Sequence, residues 1–171
     1  FPKLKIEIQG HICCVDKDVK PLRDIIIWLD QREAKCETPL PLVSRAAFKL
    51  VGMSEALEDQ RRITKSNWIQ ENEPEIWAKT YKYLTLSGYL TYQLTHQLID
   101  SSASQVAHIP YDYKNNKWYE PSNIKFAIFN VELEKLQDIL PPGSVLGNIS
   151  HEVSAEFSIK EGLPVIATAS D

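Results

Sequence analysis

The chain has 171 residues, 43% hydrophobic and 25% charged, with a formal net charge of −4. That length supports one domain with a core of its own, and the composition is that of an ordinary globular protein. The acidic balance argues against a nucleic-acid surface, and no apolar run reaches the ~18–20 residues that span a bilayer. Phe1-Pro2-Lys3 offers neither an initiator Met nor the apolar core of a signal peptide. The expectation is a segment that starts inside a longer protein and is cut at Asp171. Cys13, Cys14 and Cys36 are odd in number and lack a CxxC pair, which disfavours zinc. Reduced thiols in a cytosolic protein are expected instead. Cys13 and Cys14 are adjacent in a strand-like run, so their side chains should point to opposite faces.

In chain order, Leu4-Lys5-Ile6-Glu7-Ile8 alternates apolar and charged residues, the period of a half-buried strand. Ile12–Val15 predicts a second strand and Asp16–Pro21 a turn. Ile25-Ile26-Ile27-Trp28-Leu29, β-branched and aromatic, predicts a buried third strand and hence an opening β-meander. Helices follow. Ser44 can cap a helix carrying Ala47, Phe48, Leu50 and Val51, and Thr64 one carrying Trp68 and Ile69. Pro74 suits the first position of a helix through Trp77. Tyr89–Leu94 predicts an amphipathic helix after Gly88. Residues 110–118 read as a polar aromatic loop. Pro121-Ser122-Asn123 starts a helix through Phe129, and Glu132–Leu140 is a further short helical pattern. Val145–Ile149 is a strand, and Ser150 caps a last helix with Val153, Phe157 and Ile159. Pro164–Ser170 is a final apolar strand ending on Asp171. Strands, a helical middle and a closing helix and strand give a mixed α/β domain.

Three polar groups fall at the ends of these strands: Gln9-Gly10-His11, Trp28-Leu29-Asp30-Gln31-Arg32, and Asp171. An aromatic face beside carboxylate, amide and guanidinium groups suits a sugar or polyol, the ring covering C–H surface while the polar groups bond the hydroxyls. The alternative for the middle group is a surface ion pair between Asp30 and Arg32, with Trp28 in the core. Trp68 and Trp77 are most simply core residues, and Asp100–Ser104 a helix or strand boundary. There is no Gly-rich phosphate cradle of either common pattern.

In this order the segments resemble the FGGY family of carbohydrate kinases, over essentially the whole chain. The resemblance rests on Gln9-Gly10-His11, Val15–Asp18, Pro21-Leu22-Arg23 and Ile27–Arg32. It continues through Lys65–Trp77, Tyr89-Leu90, Leu94-Thr95 and Asp100–Ser104, and closes with Leu140-Pro141-Pro142, Gly147, Gly162–Val165 and Asp171. It implies an actin-like, ribonuclease-H-like α/β fold, incomplete here. It also implies phosphoryl transfer from ATP, with Mg²⁺, to a hydroxyl of a small-molecule sugar or polyol. Asp171 matches the general base. Gln9, His11, Trp28, Asp30 and Arg32 match positions in or beside the sugar pocket, and Lys65 is a further substrate-side candidate. The family's N-terminal phosphate loop and its C-terminal ATP-binding domain are not in these residues. The 171-residue chain alone is therefore expected to bind ATP and Mg²⁺ poorly and to be inactive. A cytoplasmic parent enzyme is implied, with no nucleic-acid or membrane partner and with room for a homo-oligomer. The competing reading is a non-catalytic actin-like domain that binds a sugar or a protein partner. This chain departs from the family at Thr168-Ala169-Ser170, where glycines are usual before the base.

Overall fold

The computed structural model describes residues 11–37, 39–40, 42–50, 52–104 and 110–168. The alternating segment Leu4–Ile8, Gln9 and Asp171 lie outside the described residues.

Strand β1 (Ile12–Val15) is buried along its whole length. The Asp16 carboxylate accepts from Asp18 N and Lys20 N, both at 2.9 Å, and so closes the expected turn. The chain then runs back beside β1, with single bridges from Val15 to Pro21 and from Ile12 to Ile26. The expected buried strand over Ile25–Leu29 does not form. Only Ile26 reaches the core, while Ile25, Ile27, Trp28 and Leu29 are 36–65% exposed. The Asp30 N–H bonds the Ile27 carbonyl at 3.1 Å and turns the chain at Trp28-Leu29. A run of β-branched residues reads as buried on both faces, and here it packs on one.

Four helices follow: α1 (Leu42–Leu50), α2 (Ser54–Ile63), α3 (Lys65–Asn72) and α4 (Pro74–Lys79). Ser44 lies inside α1 rather than at its cap. Thr64 does precede α3, but its hydroxyl donates back to the Gln60 carbonyl at 2.7 Å and caps nothing. Pro74 opens α4, where its missing N–H costs no helix bond. Strand β2 (Lys82–Thr85), absent from the sequence reading, pairs antiparallel with β1 from Ile12↔Thr85 to Val15↔Lys82. Thr85 then caps α5 (Leu86–Thr95), its hydroxyl accepting from Gly88 N at 3.3 Å.

Strand β3 (Ile99–Ser101) runs into a single 3-10 turn at Ser102–Ser104. Residues 110–118 are a small hairpin, β4 (Tyr111–Asp112) with β5 (Lys117–Trp118), rather than a loop. Asn123 caps α6 (Ile124–Phe129), accepting from Lys125 N at 2.9 Å. The helical pattern expected over Glu132–Leu140 is a 3-10 turn at Leu133–Lys135 and then β6 (Asp138–Leu140). The free edge of β3 offers β6 a parallel partner, Ile99↔Asp138 to Ser101↔Leu140, and this tertiary pairing overrides the local pattern. Strand β7 (Val145–Asn148) precedes α7 (His151–Phe157), which Ser150 caps through Val153 N. Strand β8 (Pro164–Ile166) returns antiparallel to β7. It ends at Ile166, short of the predicted run to Asp171.

β1 divides the core. Cys14 packs with Ile12, Ile26, Ile69, Trp77, Tyr83 and Phe126, and Cys13 with Val15, Val19 and Leu84. The two thiols take opposite faces as their adjacency requires. Burial pushes both up to about 11, leaving them protonated and unreactive at neutral pH. Trp77 is in the core as expected, edge-on to Tyr83 at 5.6 Å, and Trp68 packs against the same cluster. β7 sits on α5 with little room: a Cβ on Gly147 would come within 2.6 Å of Thr95 Cβ. This close approach sets β7 and β8 beside β3.

Candidate active site

Two constellations of polar side chains stand out, one at the turn after Ile27 and one beneath the end of β8. In the first, Asp30 Oδ1 accepts from Arg32 Nε at 2.7 Å and from Arg32 N at 2.9 Å. Lys65, the first residue of α3, donates through Nζ to the Asp30 carbonyl at 2.7 Å and the Arg32 carbonyl at 3.1 Å. Its ammonium also lies 3.9 Å from Asp30 Oδ1. One turn further along α3, the Trp68 ring lies under the Arg32 guanidinium, 4.4 Å from its centroid. Such stacking contributes about 0.5–2 kcal/mol, depending on how dry the contact is. Arg23 approaches the same ring at 6.0 Å and is held by Glu73 at 2.6 Å. α3 is therefore the platform that fixes the Asp30–Arg32 segment.

The electrostatics follow from this arrangement. Burial pushes the Asp30 carboxyl up. The Arg32 hydrogen bonds, the Arg32 charge and then Lys65 outweigh that push and hold it below the usual carboxylate range. Burial lowers the Lys65 ammonium, opposed by Asp30. Asp30 is thus a carboxylate at neutral pH, with one oxygen committed to Arg32. The guanidinium edge of Arg32 not used on Asp30 remains a donor set for hydroxyl or carboxylate oxygens. Trp28 stands at the tip of the turn, 65% exposed.

The second constellation centres on Asp100, in the middle of β3 and 1% exposed. Its Oδ2 accepts from Thr85 Oγ1 at 2.5 Å, Ser87 Oγ at 2.7 Å and Gln137 Nε2 at 3.2 Å. Its Oδ1 accepts from Ser101 N at 2.7 Å. Burial raises the Asp100 carboxyl and these donors pull it back, with a net rise. The carboxylate borders a small cavity walled by Ser87, Thr91, Ser101 and Ser104 and covered by the chain from Val165 to Thr168. Ser101 Oγ donates to the Thr168 carbonyl at 3.0 Å, across that cavity.

The structure brings Asp30, Arg32 and Lys65 together and places Trp28 in the turn beside them. His11 is half-buried immediately before β1, its carbonyl accepting from Leu86 N at 2.9 Å. Gln9 and Asp171 lie outside the described residues. Two participants have roles that their sequence context does not reveal. Trp68 reads as a core residue, and its second role as the surface under Arg32 has only one signal, the i, i+3 spacing from Lys65. Asp100–Ser104 reads as an element boundary, which it also is. An Asp inside a short strand, buried by side chains that come from the start of α5 and from Gln137, carries no local mark of its burial.

A model of the N-terminal domain of the FGGY family of carbohydrate kinases matches residues 6–171. The chain belongs to this family. The uncharacterized sugar kinase YgcE of Escherichia coli (strain K12) is 38% identical over 90 residues, 52% of this chain and 18% of YgcE. The xylulose kinase of Lactococcus lactis is 25% identical over 167 residues, 95% of this chain and 32% of that protein. Among solved structures, the xylulose kinase from Rhodospirillum rubrum superposes with a TM-score of 0.71 at 20% identity, covering 96% of this chain and 33% of that one. The gluconate kinase from Lactobacillus acidophilus superposes with a TM-score of 0.70 at 17% identity, covering 96% and 33%. The fold is thus that of the FGGY kinases, an actin-like architecture. The chain spans a third or less of the length of these relatives. Among the described residues no helix is long and apolar enough to cross a membrane.

ATP and Mg²⁺ are the groups that an FGGY kinase implies. Among the described residues no three His, Cys, Asp or Glu side chains gather as a metal-holding group. The sequence has no Gly-rich phosphate loop. The described residues therefore do not fit a triphosphate–metal site.

Proposed function

We propose that the protein carrying this chain is an ATP-dependent kinase of a small sugar or polyol, and that the chain supplies part of its N-terminal, sugar-side domain. Membership of the FGGY family over residues 6–171 carries this reading. The polar turn at Trp28–Arg32, fixed on α3, supports it with the donor, acceptor and aromatic groups that a polyhydroxylated substrate requires. In this reading Trp28 covers a C–H face of the sugar. Asp30 and Arg32, with Gln9 and His11, bond its hydroxyls. Asp171, five residues beyond β8, takes the proton from the attacking hydroxyl. A positioned base of this kind contributes ~10²–10⁴ in rate. ATP with Mg²⁺ supplies the transferred phosphoryl group, held by a phosphate loop and an adenine-binding domain outside these 171 residues. The chain by itself is inactive. Relatives named xylulose kinase and gluconokinase make pentuloses and sugar acids the first substrates to try.

The test uses the full-length protein with ATP and a panel of pentuloses, hexuloses, aldonates and polyols. ATP-dependent phosphorylation of one class is expected. Asp171→Asn, which keeps the size of the side chain but accepts no proton at neutral pH, should lower kcat by about two or more orders of magnitude while leaving sugar binding near normal. A variant within a few-fold of wild type removes Asp171 from the mechanism. Phosphorylation of any sugar by the 171-residue chain alone overturns the assignment of the phosphate-binding elements to other residues. Sugar binding with no transfer in the full-length protein is the outcome that favours a non-catalytic domain.

A further inference from the structure

The end of β8 is held from two sides. On one side the Ala167 N–H and carbonyl bond the Ser144 carbonyl and Gly143 N, both at 2.8 Å, across the turn that leads into β7. On the other side the Thr168 carbonyl has a single described partner, Ser101 Oγ at 3.0 Å. That hydroxyl is itself oriented. Ala103 N donates to Ser101 Oγ at 3.2 Å, so the hydroxyl proton is left for Thr168. Ser101 in turn is fixed through its own N–H to Asp100 Oδ1 at 2.7 Å. The far oxygen of Asp100 is gripped by Thr85 and Ser87, at the start of α5, and by Gln137, just before β6.

We propose that Ser101 is a positioning residue for the phosphoryl transfer: it anchors the chain at Thr168, three residues before Asp171, to the buried Asp100 network, and so sets where the general base is presented. The inference rests on the reading of Asp171 as the base. It adds that an Asp100–Ser101 pair lying in a boundary segment far back in the sequence acts on the base through one main-chain carbonyl. Its chemical logic is local. At Thr168 this chain has a residue with a side chain and no glycine in the next two positions. Loss of the tether opens the Thr168 carbonyl to the adjoining polar cavity, where water is a competing donor. The strand end then has more than one arrangement, and displacement of a catalytic group by about 1 Å costs up to ~10²-fold.

The experiment compares four variants of the full-length enzyme: Ser101→Ala, Ser101→Thr, Asp171→Asn, and the Ser101→Ala/Asp171→Asn double. Ser101→Ala should lower kcat by about 10-fold or more, with the KM values for sugar and ATP within about 2-fold, because the loss is of base placement and not of binding. Ser101→Thr retains the hydroxyl and should recover most of the rate, which a generally loosened fold would not allow. In the Asp171→Asn background Ser101→Ala should change the residual rate by less than about 2-fold, since the group it places is already disabled. Thermal unfolding of each variant separates misfolding from misplacement. A Ser101→Ala enzyme with wild-type kcat, beside an inactive Asp171→Asn enzyme, overturns the positioning role and leaves the base assignment standing. An equal loss from Ser101→Ala with and without Asp171 overturns it as well. An Asp171→Asn enzyme with wild-type kcat defeats the base assignment first, and the positioning role with it.

Discussion

The Gln137 amide fills the space that a side chain on Gly88 would need. A Cβ placed on Gly88, in the first turn of α5, would lie 2.7 Å from Gln137 Cδ and closer still to the two amide heteroatoms. Position 88 must therefore be glycine if Gln137 is to reach Asp100. Gln137 is 3% exposed, and its Nε2 is one of the three side-chain donors on Asp100 Oδ2. A helical glycine is disfavoured by about 1 kcal/mol against alanine, so this site accepts a local cost to keep a tertiary hydrogen bond.

The first prediction reverses sign with background. Gly88→Ala should destabilise the protein by about 1–2 kcal/mol in thermal or urea unfolding, since overpacking of ~1–3 kcal/mol exceeds the helix gain. In a Gln137→Ala background the collision is gone. There Gly88→Ala should stabilise by ~0.5–1 kcal/mol. The same sign in both backgrounds would falsify the steric account.

Much of the helical layer was legible in the sequence because its signals are local. Pro74, Asn123 and Ser150 each open a helix with their own chemistry, and Asp16 closes its turn with its own carboxylate. The strands are less legible, because a partner distant in sequence decides them. Lys82–Thr85 is a strand because β1 lies beside it, and Asp138–Leu140 because β3 does. Ile25–Leu29 carries strand composition, yet only Ile26 meets the core. The polar turn at Asp30–Arg32 was visible as a cluster of residue types. Its support by Lys65 and Trp68, 33 or more residues on, was not, because a hydrogen bond from an ammonium to two carbonyls leaves no mark in sequence.

That support gives the second prediction. Both hydrogen bonds of Lys65 Nζ run to the main chain of the turn, so any effect of Lys65 on sugar binding would pass through Asp30 and Arg32. Lys65→Met keeps the aliphatic stem and removes both bonds. Loss of charge-assisted hydrogen bonds at ~1.5–3 kcal/mol each should loosen the turn, and the KM for sugar in the full-length enzyme should rise by about 10-fold. The KM for ATP should stay within about 2-fold. An unchanged sugar KM would separate the turn from the substrate site.

Trp28 supplies the third. Its ring is 65% exposed at the tip of the turn, an unusual setting for a large aromatic side chain. Trp28→Ala should leave the unfolding temperature nearly unchanged, because little of the ring is buried. If the ring covers a sugar face, the same variant raises the sugar KM about 10-fold or more, at the ~1.5 kcal/mol level of an aromatic contact. A variant with normal KM and normal stability removes Trp28 from the pocket.

The fourth concerns pH and Asp100. Burial raises this carboxyl above its ordinary 3.8 in the folded protein, against the pull of Thr85, Ser87, Ser101 and Ser104. The unfolded chain has no such burial, so the folded state binds the proton more tightly. The group's contribution to stability is then greatest below the ordinary value and is lost as pH rises through the folded one. Asp100→Asn carries no such titration. The difference in unfolding free energy, variant minus wild type, should therefore increase as pH is raised from about 3.8 through the raised folded value and level off above it. The measurement is a series of urea unfolding curves of wild type and Asp100→Asn across that window. The variant also loses an acceptor for three donors, which sets a constant offset, so the decisive quantity is the slope against pH and not the sign of the difference at any one pH. A flat difference means that the carboxyl titrates alike in both states. A falling one means that the donors around Asp100 outweigh its burial, and the network is then a carboxylate-stabilising site.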